Sequence, residues 1–278
     1  MIHNSVSASA GTAMSLTRIA LGIEYDGRPF CGFQSQLSGC GIQDALEKAV
    51  GEMARERITI NAAGRTDRGV HASIQVVHFE TTAARPLSAW IRGVNALLPD
   101  AIAVRWALEV DPEFHSRFSA RRRSYHYLLL NRPERPAVLA GRVGWAHRRL
   151  ELEPMRKASK ALLGEHDFSA FRSSQCQAVS PVKTIDRVAI DADGALFTFE
   201  FEANAFLQHM VRNIVGALIM VGQGVRPVDW MAEILEGRDR RLAAPTFMAE
   251  GLYLSGIDYD PRFGLPDTSS RHPWSTHR

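Results

Sequence analysis
The residues best suited to chemistry stand together at Gly64-Arg65-Thr66-Asp67-Arg68-Gly69-Val70-His71. One carboxylate, Asp67, lies between two arginines and inside a pair of glycines. The neighbouring guanidiniums would keep Asp67 ionised, since opposite charge favours the charged form. An ionised, positioned carboxylate can serve as nucleophile, base or electrostatic stabiliser. The flanking glycines let a second backbone or a ligand approach closely. Residues 57–61 before the octet and 74–79 after it alternate as strands do, so Asp67 is expected on a short connection held by a sheet. The plainer reading is a turn in which Asp67 bonds its own backbone.

A second reactive group sits in residues 206–221. This stretch is apolar except for Gln208, His209, Arg212 and Asn213, which fall on one arc at helical spacing, an arc that Gly216 continues. The pattern predicts a largely buried helix with one polar stripe. A guanidinium on such a helix needs an anion, because an unpaired buried charge is costly. Asp67 and Arg212 are therefore expected to meet. The alternatives are another acid for Arg212, or a stripe that faces water.

The third signal is charge. Residues 117–149 hold nine arginines, no lysine and one acid, Glu134, although the whole chain carries only +3. Arg121, Arg122 and Arg123 are consecutive, and Phe114, Phe118, Tyr125, Tyr127 and Trp145 interleave with the cluster. Planar guanidiniums match phosphate oxygens, and aromatic faces stack on unpaired bases. RNA contact follows as an expectation, against the plainer reading of a solvated basic face.

The rest of the chain must position these groups. Its 278 residues with 45% hydrophobic content suit a soluble globular protein with a real core. No run reaches the roughly 20 apolar residues of a membrane span. The three cysteines, Cys31, Cys40 and Cys176, form no C-x-x-C pair and are odd in number. Neither a disulfide framework nor a zinc site is indicated, and free thiols fit a reducing cytoplasm. Asp191-Ala192-Asp193-Gly194 resembles part of a calcium loop but lacks the later ligands, so a hairpin turn is expected. Helices are predicted at 42–55, 86–98, 154–163, 206–221 and 228–235, and strands at 16–25, 57–61, 74–79, 101–108, 124–130, 182–190, 195–201 and 251–257. This alternation predicts an α+β fold of two sandwich-like halves, with mostly antiparallel sheets flanked by helices. The expected division is a disordered extension at 1–15, an N-terminal domain at 16–111, a C-terminal domain at 112–260 and a mobile polar tail at 261–278. Met14 is a candidate start, since the patterned sequence opens at Leu16.

The octet resembles the active-site loop of the TruA-type tRNA pseudouridine synthases. The similarity runs from about Leu16 to Tyr259 through further ordered stretches. These include 22–27, 75–79, Phe114-His115-Ser116-Arg117-Phe118-Ser119-Ala120, 203–206, His209-Met210-Val211-Arg212-Asn213-Ile214-Val215-Gly216 and 249–254. The resemblance implies the pseudouridine synthase fold and the isomerisation of uridine to pseudouridine in the anticodon stem-loop of tRNA, at positions 38, 39 and 40. It implies that Asp67 is the nucleophile, attacking either the sugar C1′ or the uracil C6. It makes Tyr125 the ring that stacks on the flipped uracil, with a hydroxyl that could assist proton transfer, and Arg212 the partner of the aspartate. Arg65 is implied to fill the space that the flipped base leaves. Candidate substrate contacts are Tyr125, Arg65, Arg68, Arg121, Arg122, Arg123 and His209. Arg68 stands where the family has a small residue, and Ser124 where it has a basic one. A homodimer with tRNA across both chains is implied, with no metal or organic cofactor and no membrane.

Three rivals use the same residues: an RNA-binding protein without chemistry, a uridine N-glycosidase with Asp67 as nucleophile, and a glycoside hydrolase. The last normally needs two carboxylates, and no second acid stands beside Asp67 in the sequence.

Overall fold
A computed structural model describes residues 16–268. The extension at 1–15, the candidate start at Met14 and positions 269–278 of the tail lie outside the described residues. In chain order the elements are β1 (Thr17–Tyr25), α1 (Ile42–Ala54), β2 (Asn61–Ala62), β3 (His71–Thr81), α2 (Leu87–Leu97), β4 (Ile102–Glu109), β5 (Ala120–Asn131) and β6 (Gly144–Ala146). There follow α3 (Leu152–Ser159), β7 (Gly164–Asp167), β8 (Val182–Asp193), β9 (Leu196–Ala203), α4 (Met210–Gly222), α5 (Trp230–Gly237) and β10 (Leu252–Tyr259).

The α+β expectation of mostly antiparallel sheet flanked by helices describes the molecule, and the two halves share one sheet. Ten strands form it, eight of them in the order β4-β1-β3-β10-β5-β9-β8-β7, with β2 on β3 and β6 on β5. β10 makes the join. It runs parallel to β3 and antiparallel to β5, so Ala72, Leu254 and Tyr125 lie abreast on three neighbouring strands. This register sets Tyr125 beside the end of the octet, although 58 positions separate Tyr125 from Asp67 in the chain. α1 and α2 pack together with α2 against β4, while α3, α4 and α5 pack as a group with α3 against β8.

Local chemistry explains several departures from the predicted elements. The strand expected over 57–61 shrinks to Asn61–Ala62. Ile58 and Ile60 are buried, but the backbone of Ile60 bonds outward to α1: its N–H donates to Glu47 and its carbonyl accepts from Gln43. Pro86 caps α2 rather than opening it, and α4 begins at Met210, after His209 has turned through a left-handed conformation. Asp191 to Asp193 close β8 and Gly194-Ala195 turn the hairpin into β9. Residues 261–268 of the expected tail lie against the rest of the molecule. The Phe263 ring packs 5.2 Å from Phe114, and the N–H of Ile257 donates to the carbonyl of Thr268.

The thiol expectation is also corrected: Cys31 and Cys40 form a disulfide. The chain between them folds back so that the N–H of Cys31 donates to the carbonyl of Cys40, and the two Cα atoms stand 5.5 Å apart, within disulfide range. Nothing in their spacing announces that reversal. Cys176 is free.

His78 on β3 is buried and hydrogen-bonded to Ser116. Burial, then the charges of His115 and Arg18, push its pKa down from 6.5 to about 4. The unfolded chain takes up this proton near pH 6.5 and the folded chain resists until about pH 4. Stability is therefore complete above the unfolded value and declines as pH falls through that window, by about 3 kcal/mol in all. Urea midpoints should fall between pH 6.5 and 5, and the fall should shrink in His78→Asn. Equal slopes for the two proteins would contradict the assignment.

Candidate active site
The octet is held at both ends, with Asp67 between them. The N–H of Ala63 donates to Val76, and the Gln75 amide donates to the carbonyl of Gly64 at 2.7 Å. Thr66 is buried, with its hydroxyl 2.9 Å from that of Tyr25 and its carbonyl accepting from Phe33. That last contact needs Gly32, which has φ +107°, and a Cβ there would stand 3.0 Å from the Thr66 oxygen. A turn then closes from Asp67 to Val70, with Gly69 at φ +80°. At the far end, His71 is buried. Its Nδ1 accepts from the N–H of Gly27, so its proton sits on Nε2, which donates to the carbonyl of Gly141. Burial holds His71 below its usual pKa, which keeps it neutral for both bonds. Thr66 and His71 anchor the loop through bonds that leave the Asp67 carboxylate to contacts outside it.

The structure brings Asp67 and Arg212 together. Arg212 Nη1 donates to Asp67 Oδ2 at 2.9 Å, while its Nε donates to the carbonyl of Phe247 at 2.9 Å. The two side chains are 21% and 16% exposed, so the pair is shielded but reachable. His209 Nε2 lies 3.5 Å from the same Oδ2. The cation paired with Asp67 among the described residues is thus Arg212, with the His209 imidazole, held below its usual pKa by burial, beside it. Arg65 and Arg68, expected to serve that role, line the cleft. α4 can present Arg212 because the strap at 244–247 crosses the helix at Gly216, where a Cβ would stand 2.7 Å from the carbonyl of Pro245. The polar stripe divides accordingly: Arg212 faces the carboxylate, while Asn213 turns inward and bonds Phe171, Arg240 and Thr246.

Tyr125 closes the site. It is buried on β5, with its ring edge-on to Phe206 at 5.0 Å between centroids. Burial pushes its pKa up to about 12, with Arg123 opposing and Asp67 adding to the shift. At neutral pH it is a protonated phenol, suited to stacking and to donating a hydrogen bond.

These groups line one cleft of about 1340 Å³. Its walls include Arg65, Arg68, Arg117, Arg123, Lys183 and Arg212, against a single carboxylate, Asp67. Such an excess attracts a polyanion. Among the described residues, no three His, Cys, Asp or Glu side chains stand together as a metal-holding group. No helix among them is long and apolar enough to cross a membrane.

The consecutive arginines have other partners than those expected. Arg121 pairs with Asp260 at 2.5 Å, and Arg122 lies 3.2 Å from Asp186. Arg123 spends its guanidinium on the carbonyls of Ala63, Arg117, Ala120 and Asn204. It ties the octet's entry to β5 and to the end of β9. Arg123→Ala should therefore cost on the order of 3 kcal/mol of stability, since bonds to charged donors are the strong ones. Equilibrium unfolding would check this; unchanged stability with weakened RNA binding would return Arg123 to the phosphate clamps. Of the interleaved aromatics, Phe114 and Tyr127 belong to the core, and Trp145 bonds the carbonyl of Arg132. Phe118, in contrast, is 75% exposed and lines the cleft. Lys183 and the segment 175–180, which also line the cleft, gave no signal in the sequence.

A family model described as tRNA pseudouridine synthase matches residues 22–119 and 158–260. The tRNA pseudouridine synthase A of Thiobacillus denitrificans is 56% identical over 260 residues, covering 94% of this chain and 100% of that protein. The protein of the same name from Chromobacterium violaceum is 58% identical over 252 residues, covering 90% of this chain and 95% of its own. That of Dechloromonas aromatica is 57% identical over 250 residues, again covering 90% and 95%.

Proposed function
The chain belongs to the tRNA pseudouridine synthase family, and on that footing we propose that it isomerises uridine to pseudouridine on the 3′ side of the anticodon stem-loop of tRNA. The observation that carries this reading is a lone carboxylate, Asp67, held by Arg212 in a cleft whose lysines and arginines leave it the single negative group. The cations take up phosphates and Asp67 supplies the nucleophile. The reaction breaks the bond from N1 to C1′ and makes a bond from C5 to C1′. A proton leaves C5 and a proton is gained at N1, so nothing is oxidised and no co-reactant is consumed.

A uridine inside a helix must leave the stack, at a cost of a few kcal/mol. Stacking on the Tyr125 ring offsets about 1–3 kcal/mol of that. With its hydroxyl protonated, Tyr125 acts first as that surface; it accepts the C5 proton only by passing its own proton on. Arg212 aligns Asp67 Oδ2 with a donor that is itself fixed by Phe247, so the carboxylate reaches the nucleoside without rearranging. Arg65 and Arg68 are assigned to the strand around the flipped base, and His209 to the entrance beside Asp67. Two copies of the chain sharing one tRNA, in the cytoplasm where tRNA is found, belong to the same proposal; light scattering with and without tRNA would count them.

tRNA labelled with tritium at uracil C5 tests the reaction. A synthase releases tritium to water and keeps uracil covalently bound in the RNA. Free uracil would indicate a glycosidase, and binding without either product would indicate a module that lacks chemistry.

A further inference from the structure
Phe118 is a large apolar ring, 75% exposed, on the wall of the cleft that holds Asp67. Single exposed apolar residues are ordinary on protein surfaces; this one differs in how it is mounted. Phe114 and Ser116, just before it, are fully buried. The Ser116 hydroxyl donates to the carbonyl of Asn61, its N–H donates to His78, and its carbonyl accepts from Tyr259. His115 Nδ1 then accepts from the N–H groups of both Arg117 and Phe118, at 3.1 and 3.3 Å, and the N–H of Ser119 closes the turn on the carbonyl of His115. The Phe118 ring rests 4.3 Å from the His115 imidazole, and the Arg117 guanidinium stands 5.5 Å from the ring centre. An exposed ring fixed on a braced turn loses little freedom when a flat ligand covers it.

We propose that Phe118 is a stacking platform for an unpaired nucleobase, a second base subsite on the cleft wall, apart from the uridine at Asp67 and Tyr125. The inference rests on the RNA-modifying reading above. The cations of the cleft draw in a phosphodiester strand, and an aromatic face beside them takes whichever base the loop presents, since every base has a π-face. Arg117, next to it in sequence, is placed to meet the adjoining phosphate. The platform sets the register of the loop, so that the target uridine reaches Asp67.

Anticodon stem-loop RNAs carrying 2-aminopurine at one loop position at a time test this. Wild type should quench one loop position strongly. Phe118→Ala should abolish that quench and weaken binding about tenfold, the scale of one lost base stack. Phe118→Trp should keep the quench. Phe118→Leu should behave as alanine does, because it offers apolar area without a π-face. The dependence of binding on salt should not change, because no phosphate contact is lost. Circular dichroism would check that each variant folds. A quench and affinity that survive in Phe118→Ala would overturn the platform. So would a Phe118→Ala protein whose oligomeric mass changes while the quench persists, since the ring would then serve a contact between copies. Wild-type turnover is measured in parallel. Tight, quenched binding without turnover would strike at the proposed reaction and leave the platform standing; no RNA binding by wild type would end both.

Discussion

Asp67→Asn is expected to abolish pseudouridine formation, with a fall in turnover on the order of 10⁴-fold or more, the scale seen when an enzyme loses its nucleophile. The substitution keeps the shape and removes the charge. Thr66 and Val70 hold the backbone of the loop through bonds that do not involve the carboxylate, so the loop should keep its place. RNA affinity should hold or tighten slightly. Asp67 is the single negative group among the cleft residues, and its loss frees Arg212 to add one more cation. Single-turnover rates and equilibrium binding, measured on the same RNA, separate the two effects. A variant that retains a tenth of wild-type turnover would remove Asp67 from the role of nucleophile.

Arg212→Lys is the second large effect. Lysine keeps the charge, but its ammonium is a single point, whereas the guanidinium spans two partners in a fixed fork. Arg212 uses that fork, with Nη1 on Asp67 and Nε on the carbonyl of Phe247. A lysine cannot hold both, so Asp67 loses its fixed orientation. Misplacement of a reacting group by about 1 Å can cost about 100-fold in rate, and that is the fall expected in turnover. Stability should drop by only about 1 kcal/mol for the lost bond to Phe247. RNA affinity should change little, since the charge remains. A lysine variant with near wild-type turnover would mean that Arg212 supplies charge alone. Arg212→Gln, which keeps a donor and removes the charge, then isolates that contribution.

The groups at the centre of the site were legible because their types allow few other roles. A lone guanidinium on an otherwise apolar helix has to find a carboxylate, and the octet offers one between glycines. The route by which they meet was not legible. It depends on β10, which inserts between β3 and β5 and sets Ala72, Leu254 and Tyr125 side by side. Strand order of this kind is fixed by long-range pairing, which local alternation does not encode. The partners of the arginine run were not legible for a related reason. Successive residues of a strand face opposite ways, so Arg121, Arg122 and Arg123 on β5 cannot act as one patch. Two of them find acids, and the third finds backbone carbonyls. The Cys31–Cys40 bond and the 175–180 wall of the cleft were hidden because loops carry no periodicity to read. Phe118 was visible as an aromatic among arginines, but only the burial of Phe114 and Tyr127 singles it out.

The most direct test of the account is to map the product on an unmodified anticodon stem-loop transcript treated with wild type or with Asp67→Asn. Carbodiimide adducts at pseudouridine stop primer extension and so mark the modified positions. Stops are expected on the 3′ side of the loop and adjoining stem with wild type, and none with Asp67→Asn under conditions where both proteins bind the RNA. Stops of equal strength with both proteins, or an unmodified transcript after prolonged incubation with wild type, would contradict it.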